Sequence, residues 1–270
     1  MKVRLRAASL GLLLATPAGA ETTTIGHVAP AGSSGECFAC TAFQLGLAAG
    51  SPSYAVPAGN WRRLVAWRIR GGAEQEGHAG LRIFRPTATP DRYRMVNQAA
   101  EQPVPVKRAS TFRTNLSVKR GDLLGLRTGA VAGDIALYYE STELEDEVES
   151  ALGDPKVGET VGAGGTYPSV SYQLSLINAS ATLYRPPPET TITKHPPAET
   201  SGRGARFKFR SDAPRQDFKC RLDDARRFKS CTSPRRYKHL SRGRHLFEVR
   251  ALDAGHIDPT PADWSWRVTG

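Results

Sequence analysis

After Thr16, no apolar run in this 270-residue chain is long enough to cross a bilayer, and Ala7–Thr16 before it is itself too short. Catalytic signatures are equally scarce. There is no Gly-x-Ser-x-Gly nucleophile elbow, no His-Glu-x-x-His zinc helix, no glycine loop to cradle phosphate and no EF-hand loop. The six histidines, His27, His78, His195, His239, His245 and His256, fall at no metal-ligand spacing and read as isolated surface or strand residues. Only four cysteines are present. Thr41, not histidine, follows Cys40, which excludes a c-type haem attachment, and no second cysteine pair of that spacing completes a four-thiolate zinc site. The expectation is a chain without cofactor, whose character lies in its surface.

The N-terminus has its own pattern. Lys2, Arg4 and Arg6 precede the apolar run, and Ala18-Gly19-Ala20 closes it with small residues. Charge, run and cleavage site in that order predict a signal peptide over residues 1–20, with Glu21 as the first mature residue of a secreted protein. About 250 residues remain, enough for two domains on the usual size prior. Charge divides them unevenly. Residues 21–184 hold 15 basic and 16 acidic side chains, whereas residues 185–270 hold 19 basic and 10 acidic. The whole-chain excess of positive charge therefore belongs to the C-terminal part.

Residues 21–184 alternate apolar and polar positions in short runs broken by Gly, Pro and Asn. Val65, Trp67 and Ile69 take one parity against Arg68 and Arg70, and Leu81 with Ile83 and Leu124 with Leu126 repeat the pattern. Leu174 and Leu176 share a face, but Ile177, Ala179, Ala181 and Leu183 continue on the other parity, which suggests a bulge near Ile177. Period two over several short runs predicts half-buried antiparallel sheets, stacked as a sandwich or jelly roll. One stretch departs from this. Thr142-Glu143-Leu144-Glu145 fits a capping box, with Leu144, Val148, Ala151 and Leu152 at helical spacing, so a short helix and a loop with one helical turn are both open.

Pro186-Pro187-Pro188 and Pro196-Pro197 predict an extended, semi-stiff connector over residues 185–198, with Thr190–Lys194, between the two proline clusters, beginning the first strand of the second module. There the alternation sharpens. Phe207 and Phe209 oppose Arg206, Lys208 and Arg210; Phe218, Cys220 and Leu222 oppose Lys219 and Arg221; Phe247, Val249 and Ala251 oppose Glu248 and Arg250; Trp264, Trp266 and Val268 oppose Arg267. Because a strand pleats with period two, one parity builds a core and the other a cationic outer face. The expected fold is all-β, two antiparallel sandwiches joined by a proline-rich linker.

Cys220 and Cys231 flank a short basic loop and fit a structural disulfide. Closing a loop of that length contributes roughly 2–3 kcal/mol in the chain-entropy picture. Cys37-Phe38-Ala39-Cys40 has the spacing of a redox pair, but no βαβ pattern surrounds it, and a local structural bridge is the favoured reading. The acidic run Glu140, Glu143, Glu145, Asp146, Glu147, Glu149 invites a calcium site, a catalytic carboxylate pair or a solvated face. Basic residues crowd the C-terminal loops: Arg226, Arg227, Lys229, Arg235, Arg236, Lys238, Arg242 and Arg244, beside Arg206, Lys208 and Arg210 on a strand. That density attracts polyanions such as acidic cell-wall polymers or polysaccharide. Specific nucleic-acid binding is not expected, since Phe228 and Tyr237 are the only aromatics among those loops. Trp61 and Tyr138 are candidates for stacking on sugar in the N-terminal part.

Two resemblances add to this reading. Phe218–Pro261, with its Phe-Lys-Cys-Arg-Leu-Asp strand, second Cys, His-Leu-Phe-Glu-Val-Arg-Ala-Leu-Asp strand and Asp258-Pro259-Thr260-Pro261, resembles the immunoglobulin-like repeat of secreted and cell-surface bacterial proteins. The likeness covers roughly residues 188–270 and implies an Ig-like module without implying an activity. Gly255-His256-Ile257 departs from the Ala-Gly-Asn usual there, which weakens a metal reading between Asp253 and Asp258. Residues 21–184 resemble a jelly-roll-like N-terminal β-sandwich of secreted bacterial proteins, through Cys37–Cys40, Ser53–Gly59, Leu81–Pro86 and Gly121–Leu126. Neither resemblance carries an activity; with no catalytic signature in the sequence, the expectation is a non-catalytic adhesion, wall-associated or binding role, with carbohydrate binding or polysaccharide cleavage by the first domain as the competitor.

Overall fold

The computed structural model describes residues 20–30, 39–46, 49, 51, 53–72, 76–129, 138–143, 145–173, 175–213, 217–253 and 255–270. Among them no residue is helical, and the sheets are mainly antiparallel, with parallel contacts between Glu199–Thr200 and Arg267–Val268, between His27 and Asn178 and between Val161 and Tyr167. Residues 1–19 of the expected signal peptide and Cys37 lie outside the described residues. Among those described, no helix is long and apolar enough to cross a membrane. The chain divides into two compact units, Thr22–Pro186 and one centred on Pro187–Gly270.

In the first unit, one sheet orders β1 (Glu21–His27), β14 (Ala179–Arg185), β3 (Arg63–Arg70) and β7 (Ala109–Ser117). A larger sheet orders β11 (Thr160–Gly162), β5 (Arg92–Gln98), β4 (Gly77–Pro86), β8 (Leu123–Thr128), β2 (Cys40–Gly46), β10 (Glu147–Leu152) and β12 (Ser169–Gln173), with β6 (Gln102–Val104) on the flank of β4. β9 (Tyr138–Glu140) and β13 (Ser175–Ile177) form a separate pair. Trp67, Ile69, Ala181 and Leu183 from the first sheet meet Leu81, Ile83, Leu124 and Leu126 from the second in one apolar core. A second cluster, Phe43, Phe84, Met95, Ala151 and Val161, covers the opposite face of the larger sheet. The middle of that sheet is thus buried on both sides, not half-buried as its alternation suggests. Gly125 permits this, because a Cβ there would stand 2.7 Å from the Phe84 ring.

Three local expectations change. The stretch with helical spacing is strand: β10 pairs with β2 on one side and β12 on the other, and Leu152, one of the supposed apolar positions, is 75% exposed. Leu64, not Val65, shares the core with Trp67 and Ile69, because the register slips between Leu64 and Ala66. The parity change near Ile177 is a change of sheet. The chain leaves β13, bridges His27 through Asn178, and enters β14. Leu174 itself lies outside the described residues.

In the second unit, β15 (Thr190–Lys194), β17 (Ala205–Ser211) and β20 (Arg235–Tyr237) form one sheet. The other orders β16 (Glu199–Thr200), β23 (Ala262–Val268), β21 (Gly243–Asp253), β18 (Asp217–Leu222) and β19 (Lys229–Cys231), with β22 (His256–Ile257) on β21. β15 spans Thr190–Lys194, between the two proline clusters as the sequence predicts. Phe207 and Phe209 of β17 meet Phe247 and Phe218 of the second sheet; Phe207 and Phe247 stack with centroids 4.0 Å apart, and Phe209 meets Phe218 edge-on at 4.8 Å. Trp266 and Val268 join this core as the alternation requires. Trp264 does so only in part, its ring lying under His195 at 3.3 Å. The Cys220–Cys231 disulfide is formed and ties β18 to β19.

Candidate functional site

The candidate site is the outer face of β15, β17 and β20. Along β17, Ala205, Phe207 and Phe209 are buried while Arg206, Lys208 and Arg210 are exposed, so the apolar parity that fills the core also fixes three cations outside. Strand pairing adds neighbours. Arg236 of β20 stands directly opposite Arg206, Lys194 of β15 opposite Lys208, and Thr191 opposite Arg210. Directly opposed side chains have Cβ atoms about 5 Å apart, and like charges there oppose pairing. At a separation of about 6 Å each such pair costs roughly 0.7 kcal/mol in the dielectric of water. Among the described residues, Lys194, Arg206, Lys208, Arg210 and Arg236 have no ion-pair partner. Five fixed cations with no facing carboxylate form an attractive field for an anion.

The outer face of the other sheet adds a carboxylate. Arg221 is half-buried on β18 and forks onto Glu248 of β21, its opposite neighbour, with one arm at 2.7 Å. That hydrogen-bonded carboxylate raises the Arg221 pKa. Phe228 lies between Arg221 and Arg250, whose guanidinium carbons stand 4.7 and 4.2 Å from its ring centre. Elsewhere on this face like charges also stand opposite one another, Lys219 against Arg250 and Arg244 against Arg267, so the cationic outer face expected throughout the unit is present on both sheets, with Glu248 relieving it on one.

The basic residues singled out in the sequence accordingly separate. Arg206, Lys208, Arg210 and Arg236 come together. Arg226, Arg227 and Lys229 are exposed beside β18 and β19, part of the other sheet. Arg235 has the opposite parity to Arg236 and lies 5.3 Å from the Tyr237 ring. Tyr237 in turn is half-buried against Phe207 and Phe247. Lys238 is exposed in the segment after β20. Lys194 joins the face although period two points it inward with Thr190 and Ile192; the register shift between Ile192 and Lys194 turns it out. Alternation alone carries no signal for that reversal.

The remaining candidates are occupied structurally. Asp146 is fully buried and accepts the Ser51 hydroxyl at 2.8 Å as well as that of Ser141. Glu149 accepts the hydroxyls of Ser169 and Ser171, beside a cavity of about 490 Å³ also lined by Asp91 and Glu147. Glu140, Glu143 and Glu145 are exposed. Among the described residues no group of three or more His, Cys, Asp and Glu side chains is placed to hold a metal. Asp258 is buried and accepts the Thr190 amide at 2.9 Å and both the amide and hydroxyl of Thr260, a strand-joining role. Cys40 is disulfide-bonded. Trp61 is half-buried against the first unit's core, with the Arg185 guanidinium carbon 5.7 Å from its ring centre. The side chain of Tyr138 lies outside the described set.

No family model matches the chain, and no curated protein does. Among solved structures, a β-D-glucuronidase from Dictyoglomus thermophilum aligns at 9% identity with a TM-score of 0.22, over 92% of this chain and 44% of that one. A beta-1,2-glucanase from Parabacteroides distasonis aligns at 11% identity with a TM-score of 0.21, over 88% and 38%. The chain spans less than half of either protein. Likeness at these scores carries no argument about fold or chemistry.

Proposed function

We propose that this is a secreted, non-catalytic extracellular protein of bacterial type, with a jelly-roll-like sandwich followed by an Ig-like module that holds polyanions such as acidic cell-wall polymers or polysaccharide. Secretion rests on the charged start, apolar run and small-residue site of residues 1–20. The module reading rests on the Phe218–Pro261 resemblance. The observation that carries the binding role is the pair of like-charge oppositions on one sheet face, Arg206 against Arg236 and Lys194 against Lys208. Such oppositions work against strand pairing, and an anion bound between the cations removes that penalty.

Salt is the test. Binding of the full mature chain to heparin should weaken linearly on a log–log plot against salt, with a slope that grows with the number of cations engaged. Arg206→Ala should lower that slope by about one. Binding that is flat in salt, or unchanged in Arg206→Ala, rejects the electrostatic face.

A further inference from the structure

The face specifies more than charge, and this inference rests on the polyanion reading above. Arg206, Lys208 and Arg210 recur at every second residue of β17. A strand advances about 3.3–3.4 Å per residue, so their Cα atoms are spaced at about 6.7 Å. An extended chain covers at most about 3.3–3.6 Å over three backbone bonds, so a polymer with six bonds between successive charges repeats at about 7 Å. Phosphate joined to phosphate through a three-carbon polyol has that six-bond repeat. Inorganic polyphosphate, with two bonds per charge, repeats at only about 2.4 Å on the same arithmetic.

Two further observations bear on the ligand. Three of the five cations are arginines, whose planar fork can take two oxygens of one phosphate at once. The outward positions on this face, among the described residues, are Thr191, Lys194, Arg206, Lys208, Arg210 and Arg236, with no aromatic side chain. Tyr237 is turned into the core. A single-stranded nucleic acid also has a six-bond phosphate repeat, but it draws much of its affinity from stacking bases on aromatic rings, and here none is offered.

We propose that the ligand of this face is an extended polyol-phosphate chain lying along β17, its phosphates seated at alternate residues and flanked by Lys194 and Arg236.

The full mature chain is titrated at one salt concentration with glycerol-phosphate oligomer, polygalacturonate, polyphosphate and oligothymidylate, matched in total charge. The expected result is glycerol-phosphate oligomer binding at least tenfold tighter than the other three, weakened several-fold by Arg206→Ala or Lys208→Ala and unaffected by Arg226→Ala. If Arg206→Ala does not fold, Arg236→Ala reads the opposing cation. Equal affinity for all four polymers, still weakened by Arg206→Ala, overturns the polyol-phosphate assignment and leaves the polyanion reading standing. A preference for oligothymidylate, polyphosphate or polygalacturonate overturns it in the same way. Binding to none of the four overturns both.

Discussion

Asp258 shows how one residue holds the C-terminal unit together. Its carboxylate is fully buried and accepts the Thr190 amide at the start of β15 and the Thr260 amide after β22, while Thr190 accepts the Ala251 amide of β21 at 2.8 Å. Removing a buried acceptor strands its donors, at about 1–3 kcal/mol for each left unpaired. Asp258→Ala should therefore cost about 2–4 kcal/mol in urea unfolding and Asp258→Asn less; a loss below about 1 kcal/mol for the alanine contradicts this role. His245 carries a different signal. Its Nδ1 stands 2.9 Å from Asp223 Oδ2 and its Nε2 2.9 Å from the Ser241 carbonyl oxygen. Neither partner can donate, so both ring nitrogens must. Burial works against the charged ring, but the Ser241 and Asp223 hydrogen bonds outweigh it and raise the pKa. A histidine pKa raised on folding gives stability that is complete below the unfolded value of about 6.5 and is lost as pH rises through the folded value. The thermal midpoint should fall as pH rises above about 6.5, and His245→Gln should flatten that fall. An unchanged slope in the variant would assign the pH dependence elsewhere. In the sequence His245 reads as a stray strand residue, because Asp223 lies 22 positions away and only strand pairing brings it near.

At the scale of the strand, alternation was legible wherever a strand keeps its register. In β17, β21 and β23 it separates core from surface as period two requires, apart from the partly covered Trp264. It failed where a register shift intervenes, at Leu64 and again at Lys194, since one extra residue exchanges the two faces. The helical spacing of Val148, Ala151 and Leu152 misled for another reason. A six-residue segment paired on both sides gains more from two ladders than from an isolated short helix. The cationic face itself makes an elemental prediction. Lys208→Thr removes a like-charge opposition and introduces a β-branched residue, so it should raise stability by about 0.3–1 kcal/mol at low salt, fading as salt increases. The same variant should bind polyanion more weakly. A substitution that stabilises the fold and weakens binding identifies a surface kept for its ligand, whereas a destabilised Lys208→Thr means that the cross-strand repulsion is already relieved.

Over the whole molecule, the net positive charge of the part after residue 20 sits in residues 185–270, and both sheets of that unit set cations opposite one another, the second adding the Arg221–Glu248 pair. The charge asymmetry was readable from composition. Which cations stand opposite one another was not, because it depends on which strands become neighbours. Lysine acetylation of the full mature chain, with and without heparin, tests this most directly, because Lys194 and Lys208 lie on the proposed face while Lys219 and Lys229 lie on the other sheet. The account predicts that heparin protects Lys194 and Lys208 and leaves Lys219 and Lys229 reacting at their free rates. Equal protection of all four, or protection of Lys219 and Lys229 alone, would contradict it.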